Sequence, residues 1–278
     1  MTTDADAYIH GRSLEETARL ALMNDLLNQA CLRELALHGG ERILDVGAGQ
    51  GQLSRAMARA AGRPVVAVER SSEQRAEAAR LARAAGEEAS IELRGGDAAA
   101  LSLAPGEVGA FDLAHARFLL EHVQDPVAVV RGMVAAVRPG GRIVLCDDDH
   151  DNVHLHPEPA GFAPAWAAFV RSYDRLGHDP YVGRRLTSLL VQAGAAPVRI
   201  TQVFFGACAG QPTFPGFAAN LLQNLRGART AILAPGTLDG AALDAALAAL
   251  ERWAERPDAA LWYGMSWAEG RRESAPGG

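Results

Sequence analysis

The chain has 278 residues, of which 49% are hydrophobic and 22% are charged, and its formal net charge at pH 7 is −6. This length and composition are typical of a globular protein with one large domain and a sizeable core. The negative charge argues against nucleic acid as a partner, because phosphate binding needs a concentrated basic face.

Targeting and membrane signals are not visible in the pattern. The first ten residues, MTTDADAYIH, have neither the basic region nor the apolar region of a secretory signal. The most apolar later run, 127–137, is interrupted by Arg131 and is too short to span a bilayer. Cys31, Cys146 and Cys208 are far apart in the sequence, which fits neither a disulfide framework nor a zinc site. We therefore expect a cytoplasmic protein with no membrane partner.

Helical and extended patterns alternate through the first 150 residues. Residues 13–37 have helical periodicity and begin with a capping-box pattern, Ser13 and Glu16. Short apolar runs then alternate with helical stretches. The predicted strands are ERILDVG, PVVAVER, IELRGG, FDLAHA and GRIVLCD, and the predicted helices are 51–61, 72–85 and 126–137. This alternation indicates parallel strands with helices on both faces, a doubly wound α/β sheet.

The alternation loosens after residue 150. Further helices are predicted over 162–176, 183–193 and 213–256, and further strands over 197–206 and 259–268. The predicted division is an N-terminal helical cap (1–40), a ligand-binding core (41–150), a C-terminal part of the sheet (151–270) with a helical substrate-binding insertion at about 207–258, and a tail (271–278).

The stretch ILDVGAGQGQLS places Gly47, Gly49 and Gly51 directly after the first strand. Such a turn presents backbone N–H groups and a helix N-terminus at the carboxyl end of the sheet, where ligands bind. Glycines are needed because a Cβ would keep the ligand away from the backbone. The dinucleotide pattern G-x-G-x-x-G would require a glycine where this chain has Gln52, and the pattern here is G-x-G-x-G, preceded by Asp45.

Two acidic residues follow the next two strands. Glu69 ends the second strand, where a carboxylate can accept hydrogen bonds from both ribose hydroxyls, a feature that dehydrogenases share. Asp97 follows the third strand, where it can accept a bond from an exocyclic amine such as that of adenine. Asp97 and the missing third glycine favour a nucleoside cofactor other than a dinucleotide.

The ordered motifs DVGAGQG (45–51), Glu69, GD (96–97), FDLAHARFLLEHVQDP (111–126) and RPGG (138–141) resemble those of a known family. The sequence looks like a class I S-adenosylmethionine-dependent methyltransferase of the small-molecule, natural-product type. The likeness extends more loosely to YIHGRSLEETARL upstream and VGRRLTSLLVQAGAAPV downstream. It implies a Rossmann-like, mostly parallel seven-stranded sheet, with S-adenosylmethionine as cofactor and S-adenosylhomocysteine as product.

The resemblance also implies which residues hold the cofactor. Asp45 orders the glycine turn around the methionine portion, Glu69 takes the ribose hydroxyls, and Asp97 takes the adenine amine. Tyr8 and Arg19 fall where related enzymes close an N-terminal helix over the cofactor. The implied cofactor-binding residues are Tyr8, Arg19, Asp45, Gly47, Ala48, Gly49, Gly51, Glu69, Arg70, Asp97, Ala98, His115, Ala116 and Arg117, the last three beside the methionine carboxylate and the sulfonium.

Methyl transfer from a sulfonium is an in-line displacement with an electrophile that is already activated. The protein must align the reactants and exclude water, and a general base is needed only where the nucleophile has a proton to lose. The stretch CDDDHDNVHLH (146–156) follows the fifth strand, and His150 in it is the predicted base because its ordinary pKa lies near neutrality. The alternative is that His150, His154 and His156 lie on a solvated loop.

Other polar residues have two interpretations each. Asp148 and Asp149 are predicted to bind a substrate amine or hydroxyl, and the alternative is that they cap the following segment. His122 is a second catalytic candidate, with an orienting role in the loop before Asp125 as the alternative. A metal site is a further alternative because some methyltransferases hold catechols through Mg²⁺, but the spacing matches no closed zinc site, and we predict no metal.

Aromatic residues are concentrated in the part of the chain that follows the predicted core. Core packing explains most of them, yet aromatics over a substrate cleft also favour a flat or apolar small molecule. The predicted substrate-binding residues here are Phe162, Trp166, Phe214, Phe217 and Asn220.

The predicted function is methyl transfer from S-adenosylmethionine to an oxygen or nitrogen nucleophile of a small molecule, in bacterial secondary metabolism. The first alternative is a cyclase-like enzyme on the same fold that binds the cofactor without transferring methyl. A nicotinamide oxidoreductase and a non-enzymatic adapter are further alternatives. The pattern is compatible with a homodimer and does not decide the oligomeric state.

Overall fold

The computed structural model describes residues 14–273, without the side chains of residues 14–23, 175 and 176. Its helices are α1 (Leu14–Leu35), α2 (Gln52–Ala61), α3 (Ser72–Ala84), α4 (Pro126–Ala136), α5 (Phe162–Arg171), α6 (Leu186–Gln192), α7 (Phe214–Gly227), α8 (Arg229–Leu233) and α9 (Gly240–Ala254). Its strands are β1 (Ile43–Val46), β2 (Val65–Glu69), β3 (Ile91–Gly95), β4 (Phe111–Arg117), β5 (Val137–Asp147), β6 (His154–His156), β7 (Ala195–Phe204), β8 (Ala207–Cys208), β9 (Ala260–Trp262) and β10 (Gly264–Arg272).

Seven strands form the large sheet, in the order β3-β2-β1-β4-β5-β10-β7. The first five are parallel to one another, and β10 runs antiparallel to both of its neighbours. Because the strand order reverses beside β1, the carboxyl ends of β1 and β4 flank the switch point at which such sheets bind ligands. The predicted doubly wound, mostly parallel, seven-stranded sheet is confirmed.

The described chain divides into two compact units. The sheet unit comprises residues 27–151, 177–204 and 264–273, and the helix-rich unit comprises residues 14–26, 152–176 and 205–263. The units are therefore not consecutive in sequence, in contrast to the predicted division at residues 40, 150 and 270. The reason is that β7 and β10 hydrogen-bond into the large sheet. Residues 152–176 and 205–263 have no strand in that sheet and belong to the helix-rich unit.

The core of the sheet unit lies on both faces of the parallel strands. All four residues of β1 are buried, and the apolar side of α4 is buried with them through Val129, Val130 and Met133. Near-continuous apolar runs of this kind are what a parallel strand covered by helices on both faces requires. None of the helices within residues 14–273 has the length and apolarity that crossing a bilayer demands.

The helix-rich unit packs around α5, α7 and α9 and includes a small antiparallel sheet, β6-β9-β8. Its aromatic side chains contact one another: the Phe214 and Trp253 rings are 5.4 Å apart, and the Phe205 and Phe217 rings are 4.5 Å apart. The small sheet was not predicted because its strands have only two or three residues, too few for a period-two pattern. The predicted last strand, 259–268, is two strands, β9 and the start of β10.

Glu107 forms a buried charge cluster at one edge of the sheet unit. Arg94 donates two hydrogen bonds to its carboxylate, at 2.6 and 2.8 Å, and Arg42 donates one at 3.2 Å. The Ala104 amide donates a further bond at 2.8 Å. The hydrogen bonds from Arg94 lower the pKa of Glu107 to about 2, although burial opposes this shift. The bond from the Ala104 amide and the charges of Arg94 and Arg42 act in the same direction as the Arg94 bonds.

This cluster predicts an acid-sensitive contribution to stability. Because the pKa of Glu107 is lower in the folded chain than the ordinary 4.5, its stabilisation is complete above pH 4.5 and is lost as the pH falls towards 2. Glu107→Gln should therefore flatten the fall in the free energy of unfolding across this range, measured by urea denaturation. Glu255→Gln, at an exposed site, is the control, and equal acid slopes in all three proteins would contradict the assignment.

Candidate active site

The turn between β1 and α2 has the backbone geometry that its glycines predict. Gly47, Gly49 and Gly51 have φ values of +75°, +54° and +67°, a region that residues with a Cβ rarely adopt. The Gly47 and Ala48 amides donate to the carbonyl of Val68 on β2, at 2.8 and 3.0 Å. These two hydrogen bonds fix the turn to β2 at the carboxyl end of the sheet.

Gly47 is also where this turn meets the loop that follows β4. A Cβ placed on Gly47 would lie 2.9 Å from Cδ1 of Leu119, closer than side-chain carbons approach. The Leu119 amide donates to the carboxylate of Asp147, at the end of β5, at 3.0 Å. The ends of β1, β4 and β5 are therefore packed together through Leu119.

Asp45 orders the turn from within β1. Its buried carboxylate accepts a hydrogen bond from the Ser54 hydroxyl of α2 at 2.5 Å, and its other oxygen lies 2.9 Å from Nδ1 of His115 on β4. His115 is 1% exposed, and its Nε2 has no hydrogen-bond partner among residues 14–273. A buried nitrogen of this kind needs a water molecule or a ligand to satisfy it.

Glu69 and Asp97 mark the ends of β2 and β3. One Glu69 oxygen accepts from the Gly49 amide at 3.0 Å and the other from the Ser71 amide at 2.8 Å, so the carboxylate is fixed next to the glycine turn. Each carboxylate oxygen has a second lone pair for a ligand. Asp97 is exposed and caps the single turn over Ala98–Ala100, with Oδ1 accepting from the Ala99 amide at 2.9 Å.

Arg117 ends β4 and is held by the carboxyl-terminal part of α1. Its guanidinium donates to the Asn28 side chain at 2.8 Å and lies 3.4 Å from the sulfur of Cys31. Ala116 beside it is fully buried, whereas Arg70, at the end of β2, is exposed. Tyr8 lies outside the described residues, and so does the side chain of Arg19.

A carboxylate between two histidines lies at the carboxyl ends of β4 and β5. Glu121 is 3% exposed; its Oε2 is 3.3 Å from Nε2 of His150, and its Oε1 is 3.2 Å from Nε2 of His122. His150 is buried, and its backbone amide donates to the Pro180 carbonyl at 3.1 Å. The side chain of His122 is 48% exposed, with its ring edge-on to that of His178. The structure thus excludes a solvated loop for His150.

Burial, hydrogen bonds and neighbouring charges shift the pKa values of this group. Burial opposes ionisation of Glu121, but the hydrogen bonds from His122 and His150 outweigh it and lower the pKa to about 2. Burial also disfavours the protonated imidazole of His150, yet the bond to Glu121 and the charges of Asp148, Glu121 and Asp147 raise its pKa above 6.5. Burial, with the charges of Glu121 and Asp148, raises the pKa of Asp147 to about 8.

The two aspartates after Asp147 are placed differently from each other. Asp148 is nearly buried, and its backbone carbonyl accepts from the Gly183 amide at 2.8 Å. Glu121, Asp148 and His150 each bring one potential ligand atom within 4.8 Å of the others, and they form the group in the described chain that could hold a metal ion. Both oxygens of Asp149 accept from Arg184, at 2.6 and 2.8 Å, so this carboxylate anchors the loop.

The predicted substrate-binding aromatics belong to the helix-rich unit. Phe162, Phe214 and Phe217 are buried in its core, which corrects the prediction that they line a pocket: their aromatic contacts are with neighbouring rings of the same unit. Trp166 and Asn220 are only partly buried. Sequence reasoning missed Glu121, Asn28 and Arg184; only the Glu-His pair of the LEHVQDP motif was a signal for the first.

Comparisons with known proteins agree with this geometry. A family model described as a methyltransferase domain matches residues 15–199, more than half of the chain. The chain is 36% identical over 126 residues to the ubiquinone biosynthesis O-methyltransferase of Xanthomonas oryzae pv. oryzae, covering 45% of the chain and 48% of that protein. A protein of the same name from Aeromonas salmonicida is 36% identical over 106 residues, 38% of the chain and 42% of that protein. The chain thus matches about half the length of these relatives.

Solved structures extend the likeness to nearly the whole chain. The [4+2]-cyclase SpnF superposes with a TM-score of 0.53 at 22% identity, covering 98% of this chain and 86% of that one. Geranyl diphosphate C-methyltransferase from Streptomyces coelicolor A3(2) superposes with a TM-score of 0.55 at 14% identity, with the same coverage. At these identities the solved structures show a shared fold alone. Membership of the family rests on the family model, which matches residues 15–199. The chain belongs to the family of methyltransferase domains.

Proposed function

We propose that this protein transfers a methyl group from S-adenosylmethionine to an oxygen or nitrogen nucleophile of a small molecule, in the cytoplasm and in secondary metabolism. The observation that carries the proposal is the buried Glu121–His150 pair. It follows the same two strands, β4 and β5, as Leu119 and Asp147, and Leu119 packs against the glycine turn. Oxygen is the favoured nucleophile, because the relatives that match the chain are named as O-methyltransferases.

The residues at the strand ends fit this cofactor. Gly47, Gly49 and Gly51 form a cradle that the methionine portion can approach closely, because these positions have no Cβ. Glu69 holds a fixed carboxylate next to that cradle for the ribose hydroxyls, and Asp97 has an exposed carboxylate for the adenine amine. Nε2 of His115, buried and unsatisfied in the described chain, is a further polar atom that a ligand can satisfy.

When bound, S-adenosylmethionine supplies a methyl group already activated by the sulfonium. The chain's own task is to hold and orient the acceptor and to accept its proton. His150 fits the second part because Glu121 takes the hydrogen bond from Nε2, which leaves Nδ1 as the nitrogen that receives a proton. Glu121 then stabilises the imidazolium, and we assign His122 to positioning Glu121 rather than to the acceptor.

The acceptor-binding assignments follow from burial and ion pairing. We assign Asp148 to the acceptor, since it lies with His150 and Glu121 in one group. Asp149 positions the loop through Arg184 instead. Within the helix-rich unit, Phe162, Phe214 and Phe217 act through core packing, whereas Trp166 and Asn220 are only partly buried.

The test uses methyl-labelled S-adenosylmethionine, the purified protein, and a panel of phenols, alcohols and amines with a metabolite extract. We expect S-adenosylhomocysteine release together with label in a product that is heavier by one methyl group. The reaction should survive a chelator, because His150 acts here as a base. Loss of activity on chelation would instead assign Glu121, Asp148 and His150 to a metal. Cofactor binding with an unlabelled product of unchanged mass would overturn the transferase proposal in favour of a cyclase-like reaction.

A further inference from the structure

Residues 179–185, here called the strap, contact both loops that carry the Glu121–His150 pair. Glu121 follows β4 and His150 follows β5. The Asp179 amide donates to the backbone carbonyl of Glu121 at 3.0 Å, and the His150 amide donates to the Pro180 carbonyl at 3.1 Å. The strap is therefore hydrogen-bonded to the backbone of both members of the pair.

Gly183 brings the strap into close contact with the segment after β5. Its amide donates to the carbonyl of Asp148 at 2.8 Å. A Cβ placed on Gly183 would lie 2.7 Å from that carbonyl oxygen and 2.8 Å from the hydroxyl of Ser266 on β10. Because a backbone carbonyl cannot yield as the end of a flexible side chain can, this close approach requires glycine at position 183.

The strap is itself fixed by the core of the sheet unit. Val182 is fully buried and Leu186, the first residue of α6, is 1% exposed, and both belong to the apolar core beneath the strap. Within the strap, Arg185 forms an ion pair with Asp179, whose carboxylate also accepts from the Tyr181 amide at 3.0 Å. A segment anchored in this way can hold in place the loops that it contacts.

Arg184 is the side chain of the strap that reaches both sides of His150. Its guanidinium donates to the two oxygens of Asp149, at 2.6 and 2.8 Å, and to the carboxylate of Asp151 at 2.6 Å. It also lies over the ring of Tyr181, with 4.6 Å between Cζ and the ring centre. Paired, charge-assisted hydrogen bonds fix the orientation of a carboxylate as well as its distance. Arg184 thus clamps the chain before and after His150.

We propose that Arg184 is a positioning residue that holds His150 against Glu121, so that the imidazole stays oriented to receive the proton of the methyl acceptor. The inference rests on the proposed function of His150 as a base. The contact between Nε2 of His150 and Oε2 of Glu121 is 3.3 Å, at the long end of the hydrogen-bond range. A small displacement of the turn that carries His150 is therefore enough to break it.

The charges around His150 make this role measurable. Burial disfavours the protonated ring, but three carboxylates raise the pKa of His150 above 6.5, Glu121 by a hydrogen bond and by its charge and the other two by their charges: Glu121, Asp148 and Asp147. Loss of the Glu121 contact therefore lowers the pKa of His150, whereas loss of the positive charge of Arg184 alone raises it. The two effects have opposite signs.

The first measurement follows the His150 ring by NMR and needs no methyl acceptor. The protein carries ring-labelled histidine, and the His150 signal is identified by its absence in His150→Asn. We expect Arg184→Gln to lower the titration midpoint of His150 towards 6.5. Arg184→Lys keeps the charge but not the planar fork, so a fall in this variant too assigns the effect to geometry. A higher midpoint in Arg184→Gln, or no shift in either variant, would overturn the proposal.

Arg80→Gln is the matched control. Arg80 donates to both oxygens of Glu77 on α3, at 2.7 and 2.8 Å, and both side chains are exposed. The variant removes a paired arginine–carboxylate contact of the same kind from the same unit without touching the strap. We expect its His150 midpoint to equal that of the unmodified protein.

Kinetics distinguish failure of this inference from failure of the proposed function. With an acceptor found in the screen, Arg184→Gln should lower kcat about 10- to 100-fold, as misplacement of a catalytic group does, while KM for S-adenosylmethionine stays unchanged. An unaltered kcat together with an unshifted midpoint would refute the role of Arg184 and leave that of His150 intact. Absence of methyl transfer in the unmodified protein would count against the proposed function, and the NMR midpoints would still decide whether Arg184 holds the pair together.

Discussion

His150→Asn should lower kcat for methyl transfer by about 10²- to 10⁴-fold, the usual contribution of a positioned general base. The dissociation constant for S-adenosylmethionine should stay unchanged, because the cofactor is assigned to the ends of β1 to β4, whereas His150 follows β5. The measurement is label transfer to the acceptor identified in the screen, with cofactor binding followed by calorimetry. His38→Asn is the control, since His38 is an exposed histidine on the segment before β1, at the opposite end of the strands.

The pH profile separates a base from a structural histidine. Because His150 must be neutral to accept a proton and its pKa is raised above 6.5, the rate should rise with pH through a value above 6.5. Glu121→Gln removes the carboxylate that contributes to this raised pKa, so the acid limb should move to lower pH while kcat falls. An unchanged profile in Glu121→Gln, or a His150→Asn protein of full activity, would exclude the pair from catalysis.

Gly47→Ala should weaken S-adenosylmethionine binding by at least about tenfold, equivalent to roughly 1.4 kcal/mol. Two effects combine at this position. A residue with a Cβ at φ +75° is strained by about 1–2 kcal/mol, and the added carbon would lie 2.9 Å from Cδ1 of Leu119. The turn or the Leu119 side chain must therefore move, and a movement of the turn displaces the backbone that is assigned to the cofactor. Calorimetric titration with S-adenosylmethionine measures the loss.

Gly62→Ala is the matched control for this variant. Gly62 caps α2 with φ +66°, so alanine meets a similar backbone strain, but no atom lies within 4 Å of the added carbon. We expect a lower Tm for both variants and weaker cofactor binding for Gly47→Ala alone. Equal cofactor affinity in the two proteins would show that the Gly47 turn does not contact the cofactor.

The geometry of the residues proposed for the cofactor was predictable because its signals are local. The turn at Gly47, Gly49 and Gly51 depends on backbone angles that the residue types themselves permit. Asp45 and Glu69 lie at strand ends, and the ends of parallel strands share one edge of a sheet. Knowing the strands was therefore enough to bring these residues together.

The residues proposed for catalysis were predictable only in part. His150 was identified from the composition of the segment after β5, but its partner Glu121 was not, because their contact depends on how two loops pack at the ends of β4 and β5. The ion pair of Asp149 was missed for the same reason: Arg184, which donates to both of its oxygens, comes from a distant segment.

The hydrophobic character of the aromatic residues predicted that they are buried, but not whether they pack in the core or line a pocket. Phe214 and Phe217 were correctly identified as apolar side chains of a helical segment, yet the same periodicity serves a core face and a pocket face. The structure decides in favour of packing, against Trp253 and Phe205 respectively.

The order of strands and helices, the parallel sheet and the glycine turn could all be read from the sequence, because hydrophobic periods and glycine preferences act within a few residues. Tertiary structure decided the pairings of distant side chains: Glu121 with His150, and Arg117 with Asn28 and Cys31. It also decided that β7 and β10 return to the large sheet while the segments around them form a second unit. These outcomes depend on the register of neighbouring strands and on loop packing, and no short stretch of sequence contains that information.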